Sequence, residues 1–194
     1  EWSAVARRVG FIQITGEVGA GKSTICRAFL EELSDRVGTA LILNPTLTSV
    51  QLIRSILHEL ELDDRGNDRV RLMQRLNRFL LEQAGADRDV ILLIDEAQDM
   101  STQLLEEVRL LSNLETDDRK LLQIVLVGQP ELRDALQRPS LRQLQQRIPV
   151  RYHLGPIDRD ELEAYILHRL QVAGGDGRPT FTRPALWAVH RFSG

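Results

Sequence analysis

Residues Phe11–Leu33 read FIQITGEVGAGKSTICRAFLEEL, and the rest of the chain is organised around them. A short apolar run, Phe11, Ile12 and Ile14, leads into Gly16-Glu17-Val18-Gly19-Ala20-Gly21-Lys22-Ser23-Thr24, and a helical pattern follows. The spacing is G-x-x-x-x-G-K-[ST] with a strand before it and a helix after it, the context in which such a stretch cradles phosphate. Glycines let the backbone curl so that successive N–H groups point inward at phosphate oxygens. The N-terminus of the following helix adds partial positive charge. Lys22 is expected to reach the β- and γ-phosphates, and the Ser23 hydroxyl to ligate Mg²⁺. Only two lysines, Lys22 and Lys120, stand among 23 arginines, so an accidental glycine-rich match is a poor explanation. The loop is expected to face solvent with Lys22 packed against little, so that Lys22→Ala removes nucleotide binding and spares the fold.

Outward from this loop, strands alternate with helices. Thr39–Leu43 (TALIL) reads as a second strand, and Leu47 to Leu60 carries apolar residues at helical spacing behind Thr46 or Thr48 as cap. Asp63–Asp68 (DDRGND) is a polar break before a second amphipathic helix with Val70, Met73, Leu76, Phe79 and Leu80. Val90–Ile94 (VILLI) is wholly apolar, as a strand buried on both faces of a parallel sheet requires. A helix over Ser101–Leu114, a strand over Leu121–Val127, two short helical segments near Glu131–Leu136 and Ser140–Arg147, and a fifth strand over Val150–Leu154 complete the pattern. The alternation predicts an α/β fold, a five-stranded parallel sheet sandwiched by helices. Glu1–Val9 reads as a helix tail entering the first strand. After Gly155-Pro156 the character becomes all-helical, and Asp158 to Glu161 has the spacing of a helix cap. The expected division is therefore an α/β core over 1–155 and a helical segment over 156–194.

Composition sets the bounds. The chain has 194 residues, 42% hydrophobic and 27% charged, enough for one full core. A net charge of −3 and a pI near 5.9 argue against whole-surface attraction to nucleic acid, while leaving room for a local patch. The single cysteine, Cys26, cannot close an internal disulfide, which suits a reducing cytoplasm, and it reads as a small packing residue rather than a reactive thiol. No apolar run approaches the ~20 residues a membrane span needs. The chain starts at Glu1 and stops at Ser193-Gly194, and is expected to be a piece of something longer.

In open parallel sheets, ligands sit at the carboxyl ends of the strands. The loop, Asp95-Glu96 and Gln129 all fall there. Asp95 is placed to partner a phosphate-bound Mg²⁺, directly or through water. Glu96 is placed to orient or deprotonate an attacking water, which favours hydrolysis over transfer to a metabolite. The duller alternative is that the pair caps the helix at Ser101. Gln129 can hold the γ-phosphate or the water, or it can be a polar residue in a Gly-Gln-Pro turn. Among Arg138, Arg142, Arg147 and Arg151, an arginine finger for a neighbouring subunit competes with a solvated helix face. The four histidines, His58, His153, His168 and His190, show no metal-ligand spacing.

With these motifs in hand the chain resembles the AAA+ ATPases, and within them the general secretion pathway protein A family. The residues that carry this are Gly16–Thr24 (GEVGAGKST), Leu93–Met100 (LIDEAQDM), Val127–Leu132 (VGQPEL), Leu141–Ile148 (LRQLQQRI) and Tyr152–Leu154. The resemblance implies ATP or ADP and Mg²⁺ at Lys22, Ser23 and Thr24, and a Walker B pair at Asp95 and Glu96. It also implies a sensor-1 position at Gln129 and a finger at Arg147, which lies closer to the fifth strand than Arg142. It makes the helical tail the beginning of a lid, whose sensor-2 arginine is expected soon after a Phe-Ser-Gly such as Phe192–Gly194. Full members are expected to add a membrane segment and a periplasmic peptidoglycan-binding part. The implied function is a cytoplasmic, homo-oligomeric ATPase that energises assembly or envelope insertion of a secretion or pilus machine. Its partner would be an envelope or secretion-complex protein, and its full-length form would be anchored in the bacterial inner membrane. A DNA-associated transposition-type regulator and a nucleotide-dependent signalling switch with little turnover are the alternatives.

Overall fold

A computed structural model describes residues 9–33, 37–116, 119–156, 159–175 and 179–193. The expected helix tail ahead of Val9 and the expected cap at Asp158 lie outside them. β1 (Phe11–Gly16) runs into α1 (Lys22–Glu32), then β2 (Val37–Ile42), α2 (Ser49–Glu59), α3 (Arg69–Gly85), β3 (Asp89–Ile94) and α4 (Thr102–Leu111). β4 (Gln123–Gly128), α5 (Pro130–Leu136), α6 (Arg142–Gln146) and β5 (Val150–Leu154) follow. α7 (Arg159–Val172) and α8 (Arg183–Ser193) close the chain. Two compact units divide between Leu154 and Gly155.

All strand pairings are parallel, in the order β2-β3-β4-β1-β5. The neighbouring interior strands β3 and β4 are apolar over Val90–Ile94 and Ile124–Val127 because helices cover both faces, and β4 also buries the polar Gln123 at its start. Side chains alternate between those faces. Leu92, Ile94, Ile124 and Leu126 join Leu52, Ile56, Leu76, Leu80, Leu105 and Leu144 in the larger core. Ile91, Leu93, Val125 and Val127 turn the other way, onto Ile12, Ile14, Cys26 and Phe29.

Local caps fix where the helices start. Thr48 opens α2 with a reciprocal capping box to Gln51. Asp68, the last residue of the polar break, accepts the N–H groups of Val70 and Arg71 and starts α3. Ser101 accepts from the Leu104 N–H and starts α4. The Ser101 cap is therefore supplied by Ser101 itself, and Asp95-Glu96 is not needed for it. In the second unit, α7 and α8 bury Leu162 and Leu186.

Candidate nucleotide site

The strand register locates the site. Gly16 pairs with Leu154 at the carboxyl end of β1 and β5, and Gly128 lies across from Thr15 at the same end of β4. The loop leaves β1 and turns back into α1 with Gly19 and Gly21 both at φ +81°, a left-handed conformation that only glycine adopts without penalty. Nothing stands within 4 Å of a Cβ at either position, so it is backbone geometry rather than space that requires glycine. Gly21 is the residue before α1, whose first turn carries Lys22, Ser23 and Thr24. Glu17, Val18 and Thr24 are exposed, Val18 at 78%, and Ala20 is half-buried.

Lys22 departs from expectation. It is buried at 7% exposure, and its Nζ donates to the Gly16 carbonyl at 2.8 Å and the Glu17 carbonyl at 2.9 Å. The ammonium braces the loop that it was expected merely to border. It carries three donors, so one remains for an anionic oxygen held in the loop.

β3 delivers the acidic pair. Asp95 is buried at 4% exposure; its Oδ2 accepts from the Ser23 hydroxyl at 2.6 Å and its Oδ1 from the Glu96 N–H at 2.9 Å. Ser23 and Asp95 thus meet as adjacent oxygen donors, one of them a carboxylate, which is the donor set a hard divalent cation such as Mg²⁺ takes. Among the described residues no group of three or more His, Cys, Asp or Glu side chains gathers elsewhere as a metal site. Cys26, one turn along α1, is buried at 2% exposure. Burial, reinforced by the Asp95 charge and partly offset by Lys22, pushes its thiol up to about 12.

Glu96 is half-buried and sits at φ 50°, ψ 38°, left-handed for a non-glycine residue. Such a conformation costs about 1–2 kcal/mol and persists only where the surroundings enforce it. Its carboxylate Oε2 accepts from Gln98 Nε2 at 2.8 Å, while Gln98 Oε1 accepts the backbone N–H of Gln129 at 3.0 Å. Sequence reasoning assigned Gln98 nothing, although it lies in the quoted LIDEAQDM stretch. Its signal there was an amide two residues beyond a strand-end acid. Gln129 itself is half-buried just before α5 and makes no capping bond with its side chain.

The loop, Ser23, Asp95, Glu96 and Gln129 therefore come together, and Arg147 does not join them. Arg147 follows α6 and precedes β5, whose first residue, Val150, pairs with Ile12 near the start of β1. Four residues of strand, about 13 Å, separate that level from Gly16. Arg147 is half-buried, and its Nη1 donates to Ser112 Oγ at 3.0 Å; Ser112 in turn donates to the Arg109 carbonyl at 2.6 Å. Arg138 and Arg142 are exposed, and Arg151 is tied to the Gln145 carbonyl at 2.9 Å.

A glycine loop opening a helix beside an acidic strand end, on a parallel sheet of this order, defines a P-loop nucleoside-triphosphatase fold of the AAA+ class. A family model described as AAA domain matches residues 6–136, and the chain belongs to that family. It is 47% identical over 186 residues to General secretion pathway protein A of Aeromonas hydrophila, across 95% of this chain and 34% of that protein. The chain thus spans about a third of that relative's length. Among solved structures it is similar to the ORC2 protein of Aeropyrum pernix in its ADPNP-ADP complexes (TM-score 0.64, 17% identity, 97% of this chain and 58% of that one). It is also similar to a chain of the Drosophila ORC bound to DNA (TM-score 0.59, 19% identity, 84% and 42%). No described helix is long and apolar enough to cross a membrane.

Proposed function

We propose that the chain is an ATP-binding and ATP-hydrolysing module that works as a homo-oligomer and energises assembly or envelope insertion of a secretion machine. The observation that carries the hydrolytic part is the junction of Ser23 with Asp95 beside a strained Glu96, next to the loop braced by Lys22. In this reading residues 16–24 hold the phosphates. Ser23 and Asp95 would hold Mg²⁺, directly or through water, and the ion would neutralise phosphate charge. Glu96 takes a proton from water as the water oxygen bonds to the γ-phosphorus. The bond from that phosphorus to the bridging oxygen breaks, and ADP leaves with the electron pair. Gln129 holds the γ-phosphate or the water from β4. Arg147 serves the site of a neighbouring copy, and residues 156–194 begin a lid.

The 47% identity to the Aeromonas protein supports the secretion role, and in this reading the module works in the cytoplasm against an envelope partner. A likeness below 20% identity to a DNA-bound complex carries fold alone, so DNA binding is not part of the proposal. The test is Glu96→Gln in the full-length protein. ATP affinity by calorimetry is expected to stay within about threefold, while turnover falls about 10²–10⁴-fold, the contribution of a positioned base. Near-normal turnover would move the base to another residue.

A further inference from the structure

The geometry points to Gln98 as a positioning residue that fixes the carboxylate of Glu96 and ties it to the end of β4. This rests on Glu96 being the base, as proposed above. Gln98 lies in the short 3-10 turn Ala97–Asp99 that follows Glu96, and that turn is closed by the Asp99 N–H on the Glu96 carbonyl at 2.9 Å. Both ends of the Gln98 amide are used. The NH₂ end donates to Glu96 Oε2 at 2.8 Å, and the oxygen accepts from the Gln129 N–H at 3.0 Å. The two residues that the amide bridges are those placed to act on the attacking water.

The packing around the bridge leaves it little freedom. A Cβ on Gly128 would come within 2.7 Å of Gln98 Oε1, 3.1 Å of Leu132 Cδ2 and 3.3 Å of the Gln98 backbone nitrogen. The absence of a side chain at Gly128 is what lets β4 pass close enough to offer the Gln129 N–H. A free glutamate side chain samples many rotamers, and holding it in one has an entropic cost that the Gln98 bond offsets in advance. One carboxylate oxygen is occupied by Gln98, and the other stays available to accept a proton from water. Any displacement of the β4 end is passed through one rigid amide to the base.

The test compares Gln98→Met, which keeps the length and removes both bonds, with Gln98→Glu, which keeps an acceptor for Gln129 and sets a second carboxylate against Glu96. For Gln98→Met the turnover number is expected to fall about tenfold to thirtyfold, the equivalent of freeing one glutamate side chain, with ATP affinity within about twofold of the parent. Gln98→Glu is expected to lose more. In a Glu96→Gln background, Gln98→Met should change residual single-turnover hydrolysis by less than about twofold, because its effect passes through Glu96. If Gln98→Met does not fold, Gln98→Glu in both backgrounds gives the same reading. Full turnover in Gln98→Met overturns the inference, as does an equal loss with and without Glu96, or a parallel loss of ATP affinity. Near-normal turnover in Glu96→Gln alone sinks the base assignment and this inference with it. A nearly inactive Glu96→Gln beside a normal Gln98→Met sinks only the role of Gln98.

Discussion

The two ends of the sheet hold Lys22 and Arg147 in opposite ways. At the carboxyl end, Lys22 is buried and bonded into its own loop, one turn from Cys26 and beside the Ser23–Asp95 contact. At the amino end of β5, Arg147 is half-buried and rests on a neutral hydroxyl, Ser112, and forms no ion pair among the described residues. Arg69, by contrast, is matched to the buried Glu107 at 2.6 Å, while the charge of Arg147 adds to the hydrogen bond and charge of Lys120 in holding the exposed Glu115 carboxyl below its usual range. In the proposed function the contrast would separate two jobs, Lys22 supporting nucleotide binding within one chain and Arg147 serving the site of a neighbouring copy.

The largest effect that can break this contrast is at Arg147. In the assembled protein, Arg147→Ala is expected to cut turnover about 10³–10⁵-fold, the scale of a finger supplied in trans, with ATP affinity little changed. Mixing Arg147→Ala chains with Glu96→Gln chains should restore part of the activity. At mixed interfaces the second chain lends its arginine to the intact Glu96 of the first. If co-assembled mutants recover nothing, the trans role leaves Arg147 and passes to exposed Arg142. The contrast between the two ends would then lose its functional half.

A smaller effect belongs to the other end. Lys22→Ala removes the donor kept for phosphate, and ATP affinity is expected to fall about tenfold to a hundredfold, since a charge-assisted bond contributes about 1.5–3 kcal/mol. Because the same ammonium braces Gly16 and Glu17, the melting temperature should fall as well, by a few degrees. Calorimetry beside a melting curve checks both. An unchanged affinity would remove the loop from the phosphate site, and an unchanged melting temperature would mean that the two carbonyl bonds contribute nothing.

How far the sequence reached follows the range of the interactions. The loop was legible because its chemistry is local: glycines, one lysine and one serine within eight residues, followed by a helix. The interior strands were legible because double burial favours apolar residues, most completely in VILLI of β3. Of the two caps open for α2, Thr46 and Thr48, the structure uses Thr48; Ser101 was read only as the start of a helix, and Asp68 was hidden in a run read only as a polar break. Lys22 looked solvent-facing because the carbonyls it satisfies belong to backbone, which no side-chain pattern announces. Gln98 and Ser112 were missed for a similar reason. Their partners, Gln129 and Arg147, lie 31 and 35 residues further on, and strand order alone brings them together.

The smallest effect sharpens the description of the loop end. Cys26, on α1 one turn after Lys22, is buried in the core with Ile14 and Phe29, and its thiol is raised from 9.0 to about 12, first by burial, then by the Asp95 carboxylate, with Lys22 opposing. The sign follows from which state keeps the proton. Between these values the unfolded chain has lost it while the folded chain retains it, so stability is full below pH 9 and falls as pH rises. The loss attributable to Cys26 between pH 9 and 10 is about 1 kcal/mol, and of similar size, about 1 kcal/mol, for each further unit up to 12. Cys26→Ala should be less stable at neutral pH because it leaves a small void. Its melting temperature should nevertheless decline less steeply from pH 9 to 10 than that of the parent. Native protein at pH 8 should resist thiol alkylation until it is unfolded. Parallel slopes for the two proteins, or rapid alkylation of the folded chain, would mean that water reaches Cys26. The loop end would then be as open as the end that carries Arg147.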